Sequence, residues 1–181
     1  MRPLSDIMVF LPYTPRADAE AQGYDEWLRR VDNPFFNSIP GIAHYSNWKV
    51  TGGAPAGFTH FDFMYLDPAL AGQVWTNETL LDFAAGWTEQ WGREPQAADL
   101  SVNYHSYRLA KVSGPSLFDP RGVRLTSSAA AAPTIGGAVW KVTEAMVGTS
   151  PLPFHEFAFG PVAAEGAKGG IAGTLIAAPK D

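Results

Sequence analysis

The stretch VDNPFFNSIPGIAHYSNWKV, residues 31–50, connects a predicted helix to a predicted strand and decides how the chain folds. Pro34 predicts the end of the helix, because a residue that precedes proline avoids the α region. Pro40 and Gly41 form a turn signal. His44 follows the turn so closely that we expect this corner to be the rim of a ligand pocket. The alternative is that its aromatic residues pack in the core.

On both sides of this corner, the hydrophobic pattern of the sequence predicts further strands and helices. Strands are predicted at residues 7–13, 42–50, 58–66 and 100–112, and the first helix covers residues 24–31. The second helix is capped by Thr76 or Asn77 and ends at Gly92. The order β-α-β-β-α-β is typical of the ferredoxin-like α+β fold, a four-stranded antiparallel sheet with two helices on one face.

This order divides the chain into a ferredoxin-like domain, residues 1–112, and a C-terminal extension, residues 113–181. The extension contains small-residue and glycine-rich runs, and its aromatic residues need burial. We therefore expect it to pack on the first domain or on a partner subunit. One face of a four-stranded sheet needs a cover, and a second copy of the chain would supply it.

The composition restricts the classes of function. Only 17% of the 181 residues are charged, which favours a homodimer that hides apolar surface. The net charge of -5 argues against a nucleic-acid partner. No apolar run is long enough for a membrane span, and the N-terminus lacks the features of a signal peptide. The chain has no cysteine, which fits a reducing compartment, and we expect a cytoplasmic protein.

The pattern W-L-x-x-V-D-N-P-F-F-N-S-I-P-G-I, residues 27–42, resembles the REDY-like HapK family, small dimeric α/β-barrel proteins associated with prodigiosin-type pigment biosynthesis. Asp32, Pro34, Asn37 and Pro40 match the positions of the family motif. Two phenylalanines, at 35 and 36, replace the smaller residues of that motif.

The resemblance implies a dimeric α/β barrel, in which two sheets pack across the dimer and each subunit holds a pocket between sheet and helices. The wider superfamily includes cofactor-independent monooxygenases, isomerases, polyketide cyclases, dehydratases and proteins of unclear role. Its fold therefore does not decide the function. No catalytic residue can be transferred from the family motif to this sequence.

The third predicted strand carries the leading catalytic candidates. His60 and Asp62 share one face of it, with Cα atoms about 6.5–7 Å apart. A carboxylate beside an imidazole raises the pKa of the histidine and fixes its tautomer, which suits a general base. The alternative is that His60 donates to a backbone carbonyl and Asp62 binds an arginine such as Arg108.

The fourth predicted strand adds His105 and Tyr107, which share a face. His105 would lie about 10 Å from His60, a gap that a small substrate could bridge. His60, Asp62 and His105 also make the ligand set of a non-haem iron site. Their spacing is not specific, and we expect no metal and no cofactor.

The remaining site candidates surround the corner. His44 is a further catalytic candidate, because a histidine after a rigid turn is well placed at a pocket. The residues assigned to substrate binding are Tyr24, Asn33, Phe36, Trp48 and Tyr107.

Together these features predict a cofactor-independent enzyme for an aromatic or polyketide-like metabolite. It would act as a lyase, dehydratase, isomerase or cyclase through proton transfer. Three alternatives remain open at this point. The first is a non-catalytic carrier of a hydrophobic metabolite or pigment, and the second is a haem- or metal-dependent member of the same superfamily. The third is a purely structural or stress-response dimer without a ligand.

Overall fold

The computed structural model describes residues 2–161 and 170–179 and shows a closed, eight-stranded antiparallel β-barrel. The strands are β1 (Arg2–Pro3), β2 (Ile7–Tyr13), β3 (Ile42–Gly53), β4 (His60–Leu66), β5 (Ser106–Ser113), β6 (Leu117–Phe118), β7 (Val123–Ser128), β8 (Ala138–Val147), β9 (Phe154–Phe159) and β10 (Ile171–Ala177). The order around the barrel is β10-β3-β4-β2-β5-β8-β9-β7, and β7 pairs with β10 to complete the ring. Strands β1 and β6 form a separate two-stranded sheet.

The helices lie in the first half of the chain. They are α1 (Tyr24–Trp27), a π-helical turn (Leu28–Asp32), α2 (Asn33–Ser38), α3 (Ala71–Val74), α4 (Glu78–Trp91) and a 3₁₀ turn (Leu100–Val102). The first three follow one another without a break and form one helical segment, residues 24–38. Helix α4 begins where the sequence predicts, because the side chain of Asn77 accepts a hydrogen bond from the N–H of Leu80.

Aromatic side chains fill the barrel interior. Side chains of a strand alternate between two faces, and in β4 Phe61, Phe63 and Tyr65 point inward. They belong to one buried cluster with Trp48 of β3 and residues of β2, β5, β7, β8 and β9. An eight-stranded barrel is just wide enough for side chains to fill it, so this part of the interior is a packed core.

The outer face of β2, β3 and β4 is covered by the helices. His60, Asp62 and Met64 point outward from β4, between the phenylalanines that point inward. Met64 packs with residues of α2 and α4, including Phe36 and Leu80. The buried polar groups of the protein's candidate site therefore lie outside the barrel, between the sheet and the helices.

The predicted ferredoxin-like fold is wrong, and so is the dimeric α/β barrel. Residues 113–161 and 170–179 contribute β7, β8, β9 and β10, which complete a ring with β3, β4, β2 and β5. The inner face of the first four strands is thus covered by the chain's own strands. A second copy is therefore not needed to cover the sheet, and dimerisation stays a prediction from the low charged content alone. Parts of the predicted extension, residues 162–169 and 180–181, lie outside the described residues.

The glycine-rich character of the second half is a packing requirement of the barrel. A Cβ atom on Gly173 of β10 would lie 2.5 Å from the ring of Phe61. A Cβ atom on Gly137 would lie 2.3 Å from the carbonyl oxygen of Phe157. Both positions need glycine because large rings or neighbouring backbone approach so closely. Gly173 is part of β10 and Gly137 directly precedes β8, so these two small residues serve the packing of the ring.

The predicted helix end before Pro34 is also wrong. The helical segment passes through Pro34 and continues to Ser38. Proline lies here in the first turn of α2, where its missing N–H is tolerated. The preceding π-helical turn shifts the helix by an extra residue and leaves Asp32 buried against the sheet.

Among residues 2–161 and 170–179, no helix combines the length and apolar character that a crossing of the lipid bilayer requires.

A buried carboxylate holds the connection between β7 and β8. Glu156 of β9 accepts hydrogen bonds from the N–H groups of Thr134, Ile135 and Gly137, at 2.5, 3.1 and 2.8 Å. Burial acts to raise the pKa of Glu156, but the N–H groups that donate to its carboxylate lower it overall below the ordinary value of 4.5. The ionised form of Glu156 therefore stabilises this loop.

We expect Glu156→Gln to lower the free energy of unfolding by about 2 kcal/mol at neutral pH, because an amide cannot accept all of these N–H groups. Urea denaturation measures the change. A depressed pKa gives stability that is present above the unfolded-state value and is lost at lower pH. The difference from wild type should therefore shrink below pH 4.5. Glu89→Gln, an exposed residue of α4, is the control and should have almost no effect. An equal loss in both variants would contradict this role.

Candidate active site

A cavity of about 230 Å³ lies between the outer face of the sheet and helices α2 and α4. Its apolar walls include Phe36, Met64, Trp75, Leu80, Trp87 and Met146. Asp32 and Asp62 line the same cavity and are 3% and 6% exposed. Two acidic side chains thus share an apolar enclosure, which is rare unless hydrogen bonds or a proton compensate the cost.

Four secondary-structure elements bring the polar groups together. Asp32 is the last residue of the π-helical turn, and Asp62 lies in the middle of β4. Asn47 of β3 is the direct cross-strand partner of Asp62. Tyr45 points to the same face two residues earlier, and Tyr13 reaches in from β2. Strand register therefore sets the amide and the hydroxyl beside Asp62, and the helical segment delivers Asp32.

Both carboxyl groups bind the same two side chains. The hydroxyl oxygen of Tyr45 lies 2.7 Å from Asp62 Oδ2 and 3.0 Å from Asp32 Oδ2. Asn47 Nδ2 donates to Asp32 Oδ2 at 2.8 Å and to Asp62 Oδ1 at 3.0 Å. The hydroxyl of Tyr13 adds a longer contact of 3.4 Å to Asp62 Oδ1. The two carboxyl groups are thus joined through one hydroxyl and one amide.

The number of hydrogen-bond donors around the two carboxyl groups agrees with a proton retained on the pair. The two amide hydrogens of Asn47 serve one carboxyl group each. The hydroxyl of Tyr45 has a single hydrogen and can donate to one carboxyl group only. Its second short contact is a hydrogen bond only if the other carboxyl group is protonated and donates to the tyrosine oxygen. The observed geometry therefore fits one carboxylic acid and one carboxylate.

The electrostatics agree with this count. Burial raises the pKa of Asp32 from its ordinary value of 3.8 to about 7. Burial also raises the pKa of Asp62 well above its ordinary value, and the charge of Asp32 raises it further. Within the described residues no arginine or lysine forms an ion pair with either group. At neutral pH, Asp62 holds the proton more firmly and Asp32 is the group that can ionise.

A chain of amides fixes the orientation of Asn47. Asn33 Nδ2 donates to Asn47 Oδ1 at 2.9 Å, so that the NH₂ group of Asn47 points at the two carboxyl groups. Asn37 Nδ2 donates to Asn33 Oδ1 at 3.0 Å, and Asn37 Oδ1 accepts from the N–H of Tyr45 at 2.8 Å. The motif around Pro34 therefore positions the site through its asparagines and also supplies Asp32.

Comparison with protein-family models, with curated proteins and with solved structures found no match. The resemblance to the REDY-like HapK family therefore stays a prediction. The function must be argued from the site alone.

The structure brings some of the predicted site residues to this cavity. Asp62 and Phe36 line it, and Asn33 supports it through Asn47. His60 points to the same outer face as Asp62, as predicted, but it lies among aromatic rings and not in the cavity lining. Its ring stacks on Tyr13 at 5.6 Å, and its Nδ1 lies 2.9 Å from the hydroxyl of the neighbouring residue 59.

Tyr24 belongs to the support of the site. Its side chain is fully buried, its hydroxyl accepts a hydrogen bond from Trp87 Nε1 at 2.9 Å, and its ring contacts His60 at 5.5 Å. Burial, partly offset by Asp25, lowers the pKa of His60. Tyr24 and His60 thus pack under the helical segment beside the carboxyl pair.

The other candidates lie on the opposite side of the sheet. Trp48 is completely buried in the barrel core, and His44 contacts Phe118 near one end of the interior. His105 and Tyr107 lie at the other end, where His105 Nδ1 is 2.5 Å from the hydroxyl of Tyr107. The constellation of His60, Asp62 and His105 is therefore not assembled, because the sheet separates His105 from the other two.

Asp62 does not bind Arg108, which was the structural alternative to a catalytic role. Asp62 binds Tyr45 and Asn47, whereas Arg108 pairs with Glu144 at 2.9 Å and lies over the ring of Trp75. Among residues 2–161 and 170–179, no group of three or more His, Asp or Glu side chains is arranged to hold a metal ion.

The sequence identifies Asp32 only as a motif position and predicts no role for Tyr45 and Asn47. Strand alternation does place Tyr45 and Asn47 on one face of β3. The missing information is the register that pairs Asn47 with Asp62, and the helical passage through Pro34 that directs Asp32 inward. Neither can be derived from local spacing.

We expect the stability of the protein to fall as pH rises from 5 to 8, because the raised pKa values keep a proton on the folded pair that the unfolded chain releases near pH 4. The double variant Asp32→Asn/Asp62→Asn lacks this proton. Relative to it, wild type should lose at least about 3 kcal/mol of unfolding free energy between these pH values, because the ionisation of Asp32 near pH 7 alone contributes that much and the raised pKa of Asp62 adds to it. Chemical denaturation at both pH values measures the change.

The control for this prediction is Asp82→Asn, an exposed aspartate of α4, which should keep the wild-type pH dependence. Parallel pH profiles for wild type and the double variant would show that the pair carries no retained proton.

Proposed function

We propose that the protein is a cofactor-independent enzyme that moves protons on a small, largely apolar molecule, with Asp32 and Asp62 as the acid–base pair. The observation that carries this proposal is the pair of buried carboxyl groups that share Tyr45 and Asn47 at the wall of an apolar cavity. Unequal pKa values in one site supply an acid and a base at the same pH.

The proposed step begins with a substrate that carries a hydrogen atom next to a carbonyl group. The carboxylate of Asp32 accepts the carbon-bound proton, and the carboxylic acid of Asp62 donates its proton to the carbonyl oxygen. The products are an enol, a protonated Asp32 and an ionised Asp62. Return of a proton to the same or to another carbon atom completes exchange or isomerisation. Such general acid–base assistance contributes about 10²–10⁴-fold.

The cavity walls support a small apolar substrate class. Its volume of about 230 Å³ is below the roughly 300–1,000 Å³ of pockets for drug-sized ligands. Aromatic and thioether side chains make up half of the lining residues, including Trp75, Trp87, Met64 and Met146. A cyclic or aromatic ketone fits this combination of an apolar body and one hydrogen-bonding group.

This proposal assigns the base differently from the sequence analysis, which favoured His60. The ring of His60 is 1% exposed and packs between aromatic side chains, whereas both aspartates line the cavity. The role of His60 as the base stays untested, and the experiment below separates the two assignments. A homodimeric state and a cytoplasmic location also remain predictions.

A carrier for a small hydrophobic metabolite is the second candidate. The mostly apolar wall of the cavity supports it, because binding alone does not need an acid–base pair. In that case the carboxyl groups would only hold the polar end of the ligand.

Exchange of carbon-bound hydrogen in D₂O tests the proposal without knowledge of the natural substrate. We expect wild type to accelerate exchange at the α-carbon of 2-indanone, cyclohexanone or phenylacetaldehyde, followed by proton NMR. Asp32→Asn and Asp62→Asn should each lower the enzyme-dependent rate by at least about 10²-fold, because each removes one partner of the transfer. His60→Gln should retain most of the rate.

Two results would contradict the assignment. Loss of exchange in His60→Gln, with full activity in both aspartate variants, would return the role of base to the histidine. Saturable binding of these carbonyl compounds to wild type, without hydrogen exchange, would favour the carrier.

A further inference from the structure

A second cavity, of about 600 Å³, lies at the end of the barrel that contains His105. It lies on the inner side of the sheet, whereas the aspartates line a cavity on the outer side. Tyr13 and Tyr104 line both cavities and form a wall between them. The second cavity is therefore separate from the proposed active site, and neither the acid–base proposal nor any sequence feature accounts for it.

Three aromatic rings in mutual contact form the floor of this cavity. The ring of Phe10 lies 6.4 Å from that of Tyr107 and 5.6 Å from that of His155, and Tyr107 stacks on His155 at 6.1 Å with an angle of 16°. Phe58 and Tyr104 add further rings to the wall. Flat faces of this kind are complementary to a planar aromatic ligand.

The floor histidine is neutral and its polar atoms are already bound. Ser150 Oγ donates its single hydrogen to the carbonyl of Leu152 at 2.7 Å, so that His155 Nε2 must donate to Ser150 Oγ at 3.3 Å. His155 Nδ1 then accepts the hydroxyl hydrogen of Ser127 at 2.9 Å. Burial lowers the pKa of His155 to about 4, in agreement with this neutral form. His155 thus contributes an aromatic, uncharged part of the cavity lining.

The neighbouring tyrosine is bound in the same way. The hydroxyl of Tyr107 donates to the carbonyl oxygen of Thr149 at 3.0 Å, since a carbonyl can only accept. Its oxygen then accepts from His105 Nδ1 at 2.5 Å. The hydrogen of the Tyr107 hydroxyl is therefore not available to a ligand, and recognition of a charged group must come from elsewhere in the lining.

Arg93 supplies the charge. It is the one formally charged side chain in the described lining of the cavity, which contains no carboxylate. Arg93 is exposed at the rim and forms no ion pair within the described residues. The segment that carries it is anchored, because Asn103 binds both the N–H and the carbonyl of Glu94 at 2.9 and 3.0 Å.

We propose that the cavity at this end of the barrel is a second ligand site that takes a planar aromatic carboxylate, with the aromatic body against Phe10, Tyr107 and His155 and the carboxylate at Arg93. A guanidinium that forms no ion pair among the described residues, in the lining of a cavity with an aromatic floor, matches both parts of such a ligand. Guanidinium groups favour carboxylates through paired hydrogen bonds, and the enclosed rings favour a flat apolar body.

Calorimetric titration of the full chain with 2-naphthoate and with 2-naphthamide tests this site. The two probes share their planar body, and only naphthoate is charged. We expect wild type to bind naphthoate at least tenfold more tightly than the amide. Arg93→Gln should remove this preference by weakening only naphthoate. Thr149→Trp, at the exposed mouth, should weaken both probes by filling the entrance.

Two matched controls complete the test. Arg30→Gln removes an exposed arginine far from the cavity lining and should bind naphthoate as wild type does. Leu81→Trp fills the other cavity and should also leave naphthoate binding unchanged. Failure of wild type to bind naphthoate, or equal binding in wild type and Arg93→Gln, would overturn the proposal. Loss of binding in Leu81→Trp would assign the probe to the aspartate cavity and overturn it as well.

Discussion

Asp32 and Asp62 meet under the helical segment, where water cannot hydrate two negative charges. The pair can remain buried only if a proton and hydrogen bonds compensate for that loss, and Tyr45 and Asn47 provide the hydrogen bonds. The same contacts tie the helical segment to β3 and β4. Correct docking of the helices on the barrel and a retained proton are therefore two consequences of one network. The capacity of the site for acid–base chemistry follows from this structural requirement.

The barrel supplies the rigid support for this network. Its interior is packed with aromatic side chains, so that β3 and β4 are held in a single register and Asn47 faces Asp62. Alternation along the strands then assigns large rings to the inside and polar groups to the covered outer face. Because the interior is packed, ligand sites can form only on the outer surface or at the ends of the barrel. One cavity lies on the outer face, and the other lies at one end.

Part of this arrangement could be predicted from the sequence. Periodicity and local chemistry predict strand β2, the cap of α4 and the shared face of His60 and Asp62. The barrel did not follow, because the small-residue and glycine-rich runs at 127–138 and 163–173 resemble an extension more than part of a domain. Gly173 shows why, since it must be small to admit the ring of Phe61. The role of Asp32 could not be predicted either. Local rules end the helix before Pro34, whereas the π-helical turn and α2 continue the helical segment to Ser38.

A direct measurement of the charge state of the two aspartates tests the central claim. Carbon-13 NMR of the side-chain carboxyl groups, assigned with the single Asp→Asn variants, can follow both titrations between pH 3 and 9. The account predicts that one carboxyl group titrates near pH 7 and that the other stays protonated beyond it. Ionisation of both groups near their ordinary value of 3.8 would contradict the shared proton, and with it the acid–base function proposed for the pair.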